Sequence, residues 1–524
     1  MTDALKEQFV KNLALMTLSV VVVIGNFVWQ GHDGFNLWDE GYLWYGARQI
    51  VAGEVPLRDF MAYDPGRYYW SAGYFSLLDN TGIIALRASV AVFQVLGLFA
   101  GLWTISLSLR KITLENLFYL CTAAIMLMAW AYPRHKIFDI SISMIMVAGL
   151  AYLLHQPSVR RYFQLGVLVG LAAVFGRNHG VYGVLASFLA FAWLMLRESA
   201  NSPQWRGVGA WAAGVLIGYM PVLAMCAFVP GYLDAFIDTI VFMLEQGNTN
   251  LPLPIPWPWT VGFGTAGLFI EARWVLIGIC FMALIAFGVG ALVWIFSQKL
   301  RGRYVRPELV AAVCSGLAYS HYAFARADVG HLAQGIYPLL LGTFITITSL
   351  RSRPLKWLSA SGAAFISVFI LADWQPGVLA RSKGGWEEVT ISGSILTVDP
   401  STAEAVKLLR ELTARYAHDG RPVLVLPFWP GAYPLLDRRA PLWEIYALSP
   451  RSDDFQRAEI ERIKKADPGY ALVFDVPMDG REELRYSNSH PLIDEYIRIH
   501  FEAFPNTVST ALLTYKSVDA GATR

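Results

Sequence analysis

The sequence predicts a polytopic α-helical membrane protein that carries a smaller α/β domain at its C-terminal end. Its composition, its long apolar segments and a change of pattern after residue 373 lead to this prediction. Of 524 residues, 55% are hydrophobic and only 16% are charged, a balance unlike that of soluble domains. The formal net charge of +2 and the absence of a polybasic tract argue against a nucleic-acid-binding protein.

About eleven segments are apolar enough to be transmembrane helices, since a span takes roughly 20 residues. They run approximately over residues 13–30, 83–108, 115–132, 138–154, 163–176, 180–196, 208–229, 274–297, 308–325, 332–349 and 357–372. We interpret the first as retained, because no small-residue cleavage site precedes the Trp-rich sequence after it. The cysteines all fall within apolar runs and are expected to be buried hydrophobes, namely Cys121, Cys226, Cys280 and Cys314.

Lys and Arg in short loops predict the orientation, because these residues resist translocation. The basic residues of alternate loops are Arg110, Lys111, Arg160, Arg161, Arg197, Arg206, Lys299, Arg301, Arg303, Arg306, Arg351, Arg353 and Lys356. Their side is predicted to be cytoplasmic and to include the N-terminus. The segment after about residue 374 is then extracytoplasmic, in the periplasm or its extracellular equivalent. The compact tail, and a C-terminal sequence without a eukaryotic retention signal, favour a bacterial inner (plasma) membrane.

The same orientation places five polar loops on the extracytoplasmic side. They are WDEG at 38–41, PRHKIFD at 133–139, GRNHG at 176–180, EQGNTN at 245–250 and RADVGH at 326–331. Basic residues on this side run against the positive-inside rule, and anion binding is one reason for them. For any one Arg, the alternative is a side chain that reaches toward phospholipid head groups.

A transporter is disfavoured, because carriers place ionisable groups or broken helices near the membrane midplane, often in repeated halves. The apolar segments are almost free of charge in their interiors, and Arg87, Asp139 and His321 fall near their ends. The pattern shows no internal repeat. The polar chemistry is therefore expected at the membrane surface.

The tail is predicted to be a small α/β domain. STAE at 401–404 has the pattern of a capping box before the helical sequence AVKLLRELTARYA. Strands are predicted within 421–428, 470–477 and 511–516. The Pro- and Gly-rich segment 429–444 begins where a strand ends, a common place for ligand binding in α/β sheets, although a plain connecting loop fits it as well.

The adjacent acids Asp39 and Glu40 suit two roles. Carboxylates complement the dipole at the start of a helix, and YLWYGARQIVAG is helical in pattern, with Gly53 as a stop. A transferase that uses a lipid-phosphate donor also needs a carboxylate to accept the proton of the attacking hydroxyl. Such an enzyme needs cations for the departing phosphate. The candidate phosphate-binding residues are Arg58, Arg67, Arg134, Lys136, Arg177, His179, Arg326 and His331.

At this point the sequence resembles the GT-C glycosyltransferases, in the branch of the protein O-mannosyltransferases and the bacterial lipid A aminoarabinose transferase. The likeness lies in the overall layout and in residues 36–70, where RDF and YDPGRYY follow the Asp-Glu pair. The resemblance implies transfer of one sugar from a polyprenyl-phosphate carrier with inversion, and it implies that Asp39 is the base. The tail matches no acceptor-binding module, which leaves the acceptor open.

We therefore expect an inverting hexosyl- or pentosyltransferase that acts on a hydroxyl of a glycolipid, glycan or protein. Its partners would be the donor lipid, the acceptor and membrane lipids, without nucleic acid. The residues assigned to acceptor or sugar contacts are Tyr63, Asp64, Tyr68 and Asp328. No cofactor is expected. The predicted division is a membrane domain, 1–373, with the extracytoplasmic loop 31–82, and an α/β domain, 374–524.

Two alternatives stay open at this stage. One is an oligosaccharide ligase or transferase of the same fold, with a divalent metal held by several loop carboxylates. Asp139, Asp328 and Glu245 are available to join Asp39, but their spacing forms no metal motif. The other is a non-catalytic carrier of lipid-linked glycans.

Overall fold

The computed structural model describes residues 3–109, 113–196, 204–247, 250–505 and 512–517. Some residues that enter the predictions lie outside these ranges, namely Arg110, Lys111, Arg197, Asn248, Thr249 and Ala511. The chain divides into two compact units. The first unit comprises residues 1–29, 88–230 and 243–379, and the second comprises 30–87, 231–242 and 380–524. The domain division at residue 373, drawn along the sequence, stays a prediction.

Helices account for most of the chain before residue 387. They are α1 (Asp3–Gln30), α2 (Asp39–Val51), α3 (Gly66–Leu78), α4 (Ile83–Ser106), α5 (Leu114–Ala129), α6 (Ile137–His155), α7 (Val159–Phe175), α8 (Arg177–Met195), α9 (Gln204–Gly218), α10 (Met220–Phe228), α11 (Tyr232–Gln246), α12 (Leu268–Ile285), α13 (Leu292–Leu300), α14 (Pro307–Ala325), α15 (Val329–Gly335), α16 (Tyr337–Ile347), α17 (Arg353–Leu371) and α18 (Pro376–Ser382). A π-helical turn, Ala286–Ala291, joins α12 to α13.

The fold is that of a polytopic α-helical integral membrane protein. Among the described residues, six helical segments are long and apolar enough to cross a membrane, or seven if the pair α9 and α10, bent by 51°, forms one span. Each of the eleven predicted segments contains a helix. The number of eleven spans is not confirmed, because several of these helices, such as α5 and α16, are shorter than a full span.

Helices α7 and α9 of the first unit pack through glycines. Gly166 and Gly170 on α7 form a small-xxx-small pattern, and so do Gly214 and Gly218 on α9. A Cβ at any of the four would collide with backbone atoms of the other helix. Because apolar lipid gives no hydrophobic drive for helix association, such close backbone packing is a main source of stability between spans.

From residue 387 onward, the described residues form two small sheets and five α-helices. The elements are β1 (Glu387–Ile391), β2 (Ser394–Val398), α19 (Pro400–Tyr416), β3 (Leu424–Leu426), α20 (Ala432–Leu435), α21 (Asp453–Ala466), β4 (Tyr470–Phe474), α22 (Tyr486–Ser489), α23 (Pro491–His500), β5 (Phe501–Phe504) and β6 (Leu512–Ser517). Strands β1 and β2 form an antiparallel hairpin. The larger sheet has the order β3-β4-β6-β5, in which only β3 and β4 are parallel.

The predicted strands correspond to β3, β4 and β6, whereas the hairpin and β5 were not predicted. The predicted capping box at Ser401 was wrong. The N-cap residue of α19 is Asp399, two residues before Ser401. The Asp399 carboxylate accepts hydrogen bonds from the backbone N–H groups of Ser401 and Thr402, each at 3.1 Å. Pro400 then occupies the first helical position, where its missing N–H costs nothing.

Candidate active site

The predicted helix after WDEG is confirmed, and α2 starts at Asp39. The side-chain oxygen of Asn36 accepts hydrogen bonds from the backbone N–H groups of Trp38 and Asp39, at 2.8 and 2.9 Å. This amide therefore satisfies donors that the helix start leaves open. Gly53, with φ +88°, follows the end of the helix as expected. The first two residues of α2, Asp39 and Glu40, thus carry carboxylates at a helix start that is held by hydrogen bonds.

Glu40 is locked in a buried ion pair. The guanidinium of Arg87 donates to both carboxylate oxygens of Glu40, at 2.8 and 2.9 Å, and the two residues are only 2% and 4% exposed. Arg87 also donates to the backbone carbonyls of Gly31 and Gly34, at 2.7 and 2.6 Å. These hydrogen bonds connect the chain before α2 to the second turn of α4. Glu40 serves the structure of the loop and has little freedom to act as a base.

Asp39 has a different environment, although it is the neighbouring residue. Its side chain is half-buried, and the Tyr446 hydroxyl donates a hydrogen bond to Oδ1 at 3.0 Å. The ring of Tyr446 lies against Tyr42, one turn along α2, with 5.3 Å between ring centroids. The Asp39 carboxylate is therefore oriented by a hydrogen bond, and its side chain is still partly accessible to solvent. A general base needs both orientation and access to its substrate.

The segment after β3 packs directly on α2. The backbone N–H of Gly431 donates to the carbonyl of Leu37 at 2.8 Å. A Cβ on Gly41 would collide with the backbone of Gly431, and the converse also holds. Only glycine allows this close approach at both positions. The Pro- and Gly-rich segment 429–444, for which the sequence left ligand binding and a plain connecting loop both open, therefore contacts the helix that carries the acids.

The aromatic stretch after α2 surrounds Tyr63. The guanidinium of Arg67 lies over the Tyr63 ring, 5.0 Å from its centroid. The Tyr68 hydroxyl accepts a hydrogen bond from the backbone N–H of Tyr63 at 3.0 Å. Asp64, Arg67 and Tyr68 are buried, and burial raises the pKa of Tyr68. Of the residues assigned to acceptor or sugar contacts in this stretch, Tyr63 is the one with a partly exposed side chain.

Arg58 already has a carboxylate partner. Its guanidinium donates to both oxygens of Asp59, at 2.9 and 2.8 Å. The hydrogen bonds from Arg58 hold the pKa of Asp59 below its usual range. A phosphate group at Arg58 would have to compete with this bidentate pair.

In the first unit, His179 lies inside a polar network. Its Nε2 is 3.0 Å from an Asp139 carboxylate oxygen, and its Nδ1 is 3.2 Å from the Tyr319 hydroxyl. Asp139 is 3% exposed and His179 is 0% exposed. Both ring nitrogens are thus occupied within the protein. His179, predicted to bind the donor phosphate, is therefore inaccessible to solvent in this structure.

RADVGH folds into a second, more exposed cluster of the first unit. Asp328 caps α15, and its carboxylate receives hydrogen bonds from Arg326 Nε at 2.9 Å and from His331 Nδ1 at 2.9 Å. The other ring nitrogen of His331 accepts from the Asn250 amide at 2.7 Å. Burial alone would raise the pKa of Asp328, but the His331 hydrogen bond and the Arg326 charge hold it below its usual range. Arg326 and His331, predicted to bind the donor phosphate, therefore form one hydrogen-bonded group with Asp328, predicted to contact the acceptor or sugar.

The remaining predicted cations are half-buried at the starts of helices. Arg134 and Lys136 belong to a short 3-10 turn before α6, and Arg177 is the first residue of α8. Within the parts of the chain that the structure describes, no three His, Cys, Asp or Glu side chains form a group able to hold a metal ion.

Sequence reasoning missed Tyr446, Arg87 as the partner of Glu40, and the Asn36 cap. A basic residue near the end of an apolar helix is a signal that could have indicated Arg87, because such charges are retained for a partner. No local pattern marks Tyr446, which lies 407 residues from Asp39.

Known proteins resemble this chain in structure. No protein-family model matches the sequence, and no curated protein matches it. The chain is similar to ArnT from Cupriavidus metallidurans bound to undecaprenyl phosphate, with a TM-score of 0.54, 12% identity and coverage of 96% of this chain and 97% of that chain. The apo state of that ArnT gives a TM-score of 0.53, 11% identity and 98% coverage of both chains.

The archaeal oligosaccharyltransferase AglB from Archaeoglobus fulgidus gives a TM-score of 0.46 and 11% identity, over 97% of this chain and 74% of that chain. The similarity to ArnT extends over nearly the full length of both chains. The fold predicted from the sequence is confirmed: the chain has the GT-C fold.

Proposed function

We propose that the protein is an inverting glycosyltransferase that moves one sugar from a polyprenyl-phosphate donor to a hydroxyl acceptor. The observation that carries the proposal is Asp39, a half-buried carboxylate at the start of α2, whose neighbour Glu40 is sealed in an ion pair. The fold supports it, because a chain of similar structure is ArnT bound to undecaprenyl phosphate.

In the proposed reaction, Asp39 accepts the proton of the acceptor hydroxyl as that oxygen attacks the anomeric carbon of the sugar. The new carbon–oxygen bond forms on the face opposite the phosphate, so the configuration inverts. The bond from the sugar to the phosphate oxygen breaks, and its electron pair leaves with the polyprenyl phosphate. The proton remains on Asp39 until solvent removes it.

The leaving phosphate gains charge as its bond to the sugar breaks, so fixed cations stabilise the transition state more than the ground state. Among the predicted residues, Arg134, Lys136 and Arg177 combine a positive charge with partial exposure at helix starts. Arg326 and His331 are also partly exposed, although each contacts Asp328. Because Arg and Lys can stabilise a phosphate without a metal, we propose transfer that needs no added divalent ion.

The proposed location is the bacterial inner (plasma) membrane, with the N-terminus in the cytoplasm and the chemistry on the extracytoplasmic face. The alternation of basic loops supports this orientation. The acceptor is proposed to be a hydroxyl group of a glycolipid, a glycan or a protein, and the sugar to be a hexose or pentose.

The decisive experiment compares purified wild-type protein with Asp39→Asn in vesicles that contain a polyprenyl-monophosphate sugar. Loss of the base is expected to reduce transfer about 10²- to 10⁴-fold, with and without a chelator of divalent ions. The matched control is Asp79→Asn, the same change at an exposed residue in a left-handed conformation that asparagine tolerates. Full transfer by Asp39→Asn would remove the catalytic assignment.

Mass spectrometry of the lipids from cells that lack the protein separates the alternatives. A polyprenyl-phosphate sugar should accumulate, and one glycan should lose one residue. The same result is expected in cells that carry only Asp39→Asn. Accumulation of a long pyrophosphate-linked glycan would instead indicate an oligosaccharide transferase. If no glycolipid changes, the protein is not a transferase of this kind.

A further inference from the structure

We infer that Tyr446, from the tail, is a positioning residue for Asp39: its hydroxyl fixes one carboxylate oxygen and so sets the orientation of the base. The inference rests on the proposed function, because it assigns Tyr446 a role in the same reaction. It makes the tail part of the catalytic machinery, although the tail supplies none of the reacting atoms.

The geometry of the contact supports this role. A carboxylate that acts as a base must be oriented as well as ionised. The Tyr446 hydroxyl donates to Oδ1 of Asp39 at 3.0 Å, and Tyr446 is only 8% exposed. Contact of its ring with Tyr42 restricts the movement of the phenol. A hydrogen bond to the charged form of an acid also favours that form.

The backbone around Tyr446 is held on two sides. The N–H groups of Trp443 and Glu444 donate to the Glu459 carboxylate, at 2.7 and 3.1 Å. The N–H of Ala447 donates to the carbonyl of Pro427 at 2.9 Å, directly after β3. The position of Tyr446 is therefore set by helix α21 and by the sheet.

The Glu444 side chain fixes the same segment from within the tail. Its carboxylate contacts Arg451 Nε at 2.6 Å and His490 Nε2 at 2.8 Å. Burial alone would raise the pKa of Glu444, but the His490 hydrogen bond and the Arg451 charge hold it below its usual range. Arg451 in turn stacks on Phe242 at 3.4 Å. A buried, ionised network thus anchors the segment two residues before the hydroxyl that contacts Asp39.

A second set of contacts connects this segment with the neighbourhood of α2. The indole N–H of Trp443 donates to the carbonyl of Leu57 at 2.8 Å, and the N–H of Met61 donates to the carbonyl of Trp443 at 2.9 Å. The Tyr45 hydroxyl accepts from the N–H of Ala440 at 3.2 Å. These contacts join the same surfaces but do not involve Asp39, so they provide a control for packing alone.

The test is Tyr446→Phe, which removes the hydroxyl and keeps the ring. We expect kcat to fall about 10- to 100-fold, which is the size of effect that loss of a hydrogen bond to a charged group produces. KM for the acceptor should stay nearly unchanged. A hydrogen bond donated to a carboxylate favours its ionised form, and Tyr446→Phe lacks that hydrogen bond. Because the base must be ionised, the acid limb of the kcat/KM profile should move to higher pH.

The matched control is Tyr45→Phe, which deletes a hydroxyl from the same contact surface. It should leave both kcat and the acid limb unchanged. An equal shift of the acid limb in both variants, or no shift in Tyr446→Phe, would overturn the inference. The pH midpoint does not depend on the amount of folded enzyme, so it stays informative even if Tyr446→Phe folds in low yield.

Failure of the inference can be distinguished from failure of the proposed function. If Asp39→Asn is inactive and Tyr446→Phe matches wild type, only the role of Tyr446 is lost. If Asp39→Asn is fully active, the base assignment itself is lost, and the inference with it. In the double variant Asp39→Asn/Tyr446→Phe, we expect no further loss beyond that of Asp39→Asn. Additive losses would show that Tyr446 acts independently of Asp39, and would also overturn the inference.

Discussion

The start of α2 and the network around His179 are built from the same kinds of groups, yet they differ in their access to solvent. Each contains an aspartate that receives a hydrogen bond from another side chain, and in each a tyrosine hydroxyl takes part. Asp39 is half-buried, whereas Asp139 is 3% exposed and His179 is 0% exposed. Similar residue types thus form a solvent-accessible carboxylate in one unit and a sealed structural network in the other.

The same difference in exposure to solvent separates the two neighbouring acids, Asp39 and Glu40. Glu40 is 4% exposed and shares both oxygens with Arg87, so it resembles the His179 network more than it resembles its neighbour Asp39. Successive residues of a helix point about 100° apart, which allows one acid to face the protein and the next to face solvent. Exposure therefore separates roles that residue type alone does not.

The sharpest test of this distinction is Glu40→Ala, which should leave the buried Arg87 without its carboxylate. Breaking one partner of a buried ion pair costs about 3–5 kcal/mol, so we expect the largest loss of stability of any change proposed here. Thermal unfolding of the detergent-purified protein would measure it. In the double variant Glu40→Ala/Arg87→Ala, part of the lost stability should return. An unfolding temperature equal to that of wild type would contradict the structural role.

The second test is His179→Ala, which removes one hydrogen-bond partner of the buried Asp139. An unsatisfied buried polar group costs about 1–3 kcal/mol, so the unfolding temperature should fall while the affinity for the donor lipid stays constant. Asn178→Ala, one residue earlier on α8 and half-buried, serves as a control. If donor affinity falls and stability does not, His179 is the phosphate-binding residue predicted from the sequence, and the comparison fails.

The smallest expected effect concerns Arg326, which lies between the two extremes of exposure. Because its charge is shared with Asp328, we expect Arg326→Ala to weaken donor binding only about 3- to 10-fold, equivalent to about 1 kcal/mol. Titration of donor lipid into vesicles that contain the protein would measure the change. Arg353→Ala, at an exposed arginine paired with Glu115, is the matched control. Unchanged affinity would remove the 326–331 loop from the donor site.

The sequence predicted the features that local patterns encode. Each of the eleven apolar runs contains a helix, and the acids before YLWYGARQIVAG located the start of α2, whereas α3 and α11 lie outside these runs. These predictions succeed because helix periodicity and end signals act within a few residues. The Gly patterns of α7 and α9 are also local and could have been found in the sequence.

The partners of the acid pair were beyond such patterns. Arg87 is 47 residues from Glu40, and Tyr446 is 407 residues from Asp39. Only the folded chain determines these distances. The capping error at α19 has another cause, since Asp399 and Ser401 are both good caps and the Pro400 between them decides which one is used. The hairpin of β1 and β2 was missed because its strands are only five residues each, and β1 is largely exposed.

The contact between Gly41 and Gly431 has a consequence for the order in which the protein is made. A ribosome finishes α2 long before it reaches the glycine against which that helix rests, and Tyr446 follows later still. During most of its synthesis, the growing chain therefore contains Asp39 and Gly41 before their contacts in the tail, Tyr446 and Gly431, have been made. A chain that stops before Gly431 lacks both the surface under α2 and the hydroxyl on Asp39. On the proposed mechanism, the base of a prematurely terminated copy would not be oriented, so that copy would consume little of the lipid-linked sugar.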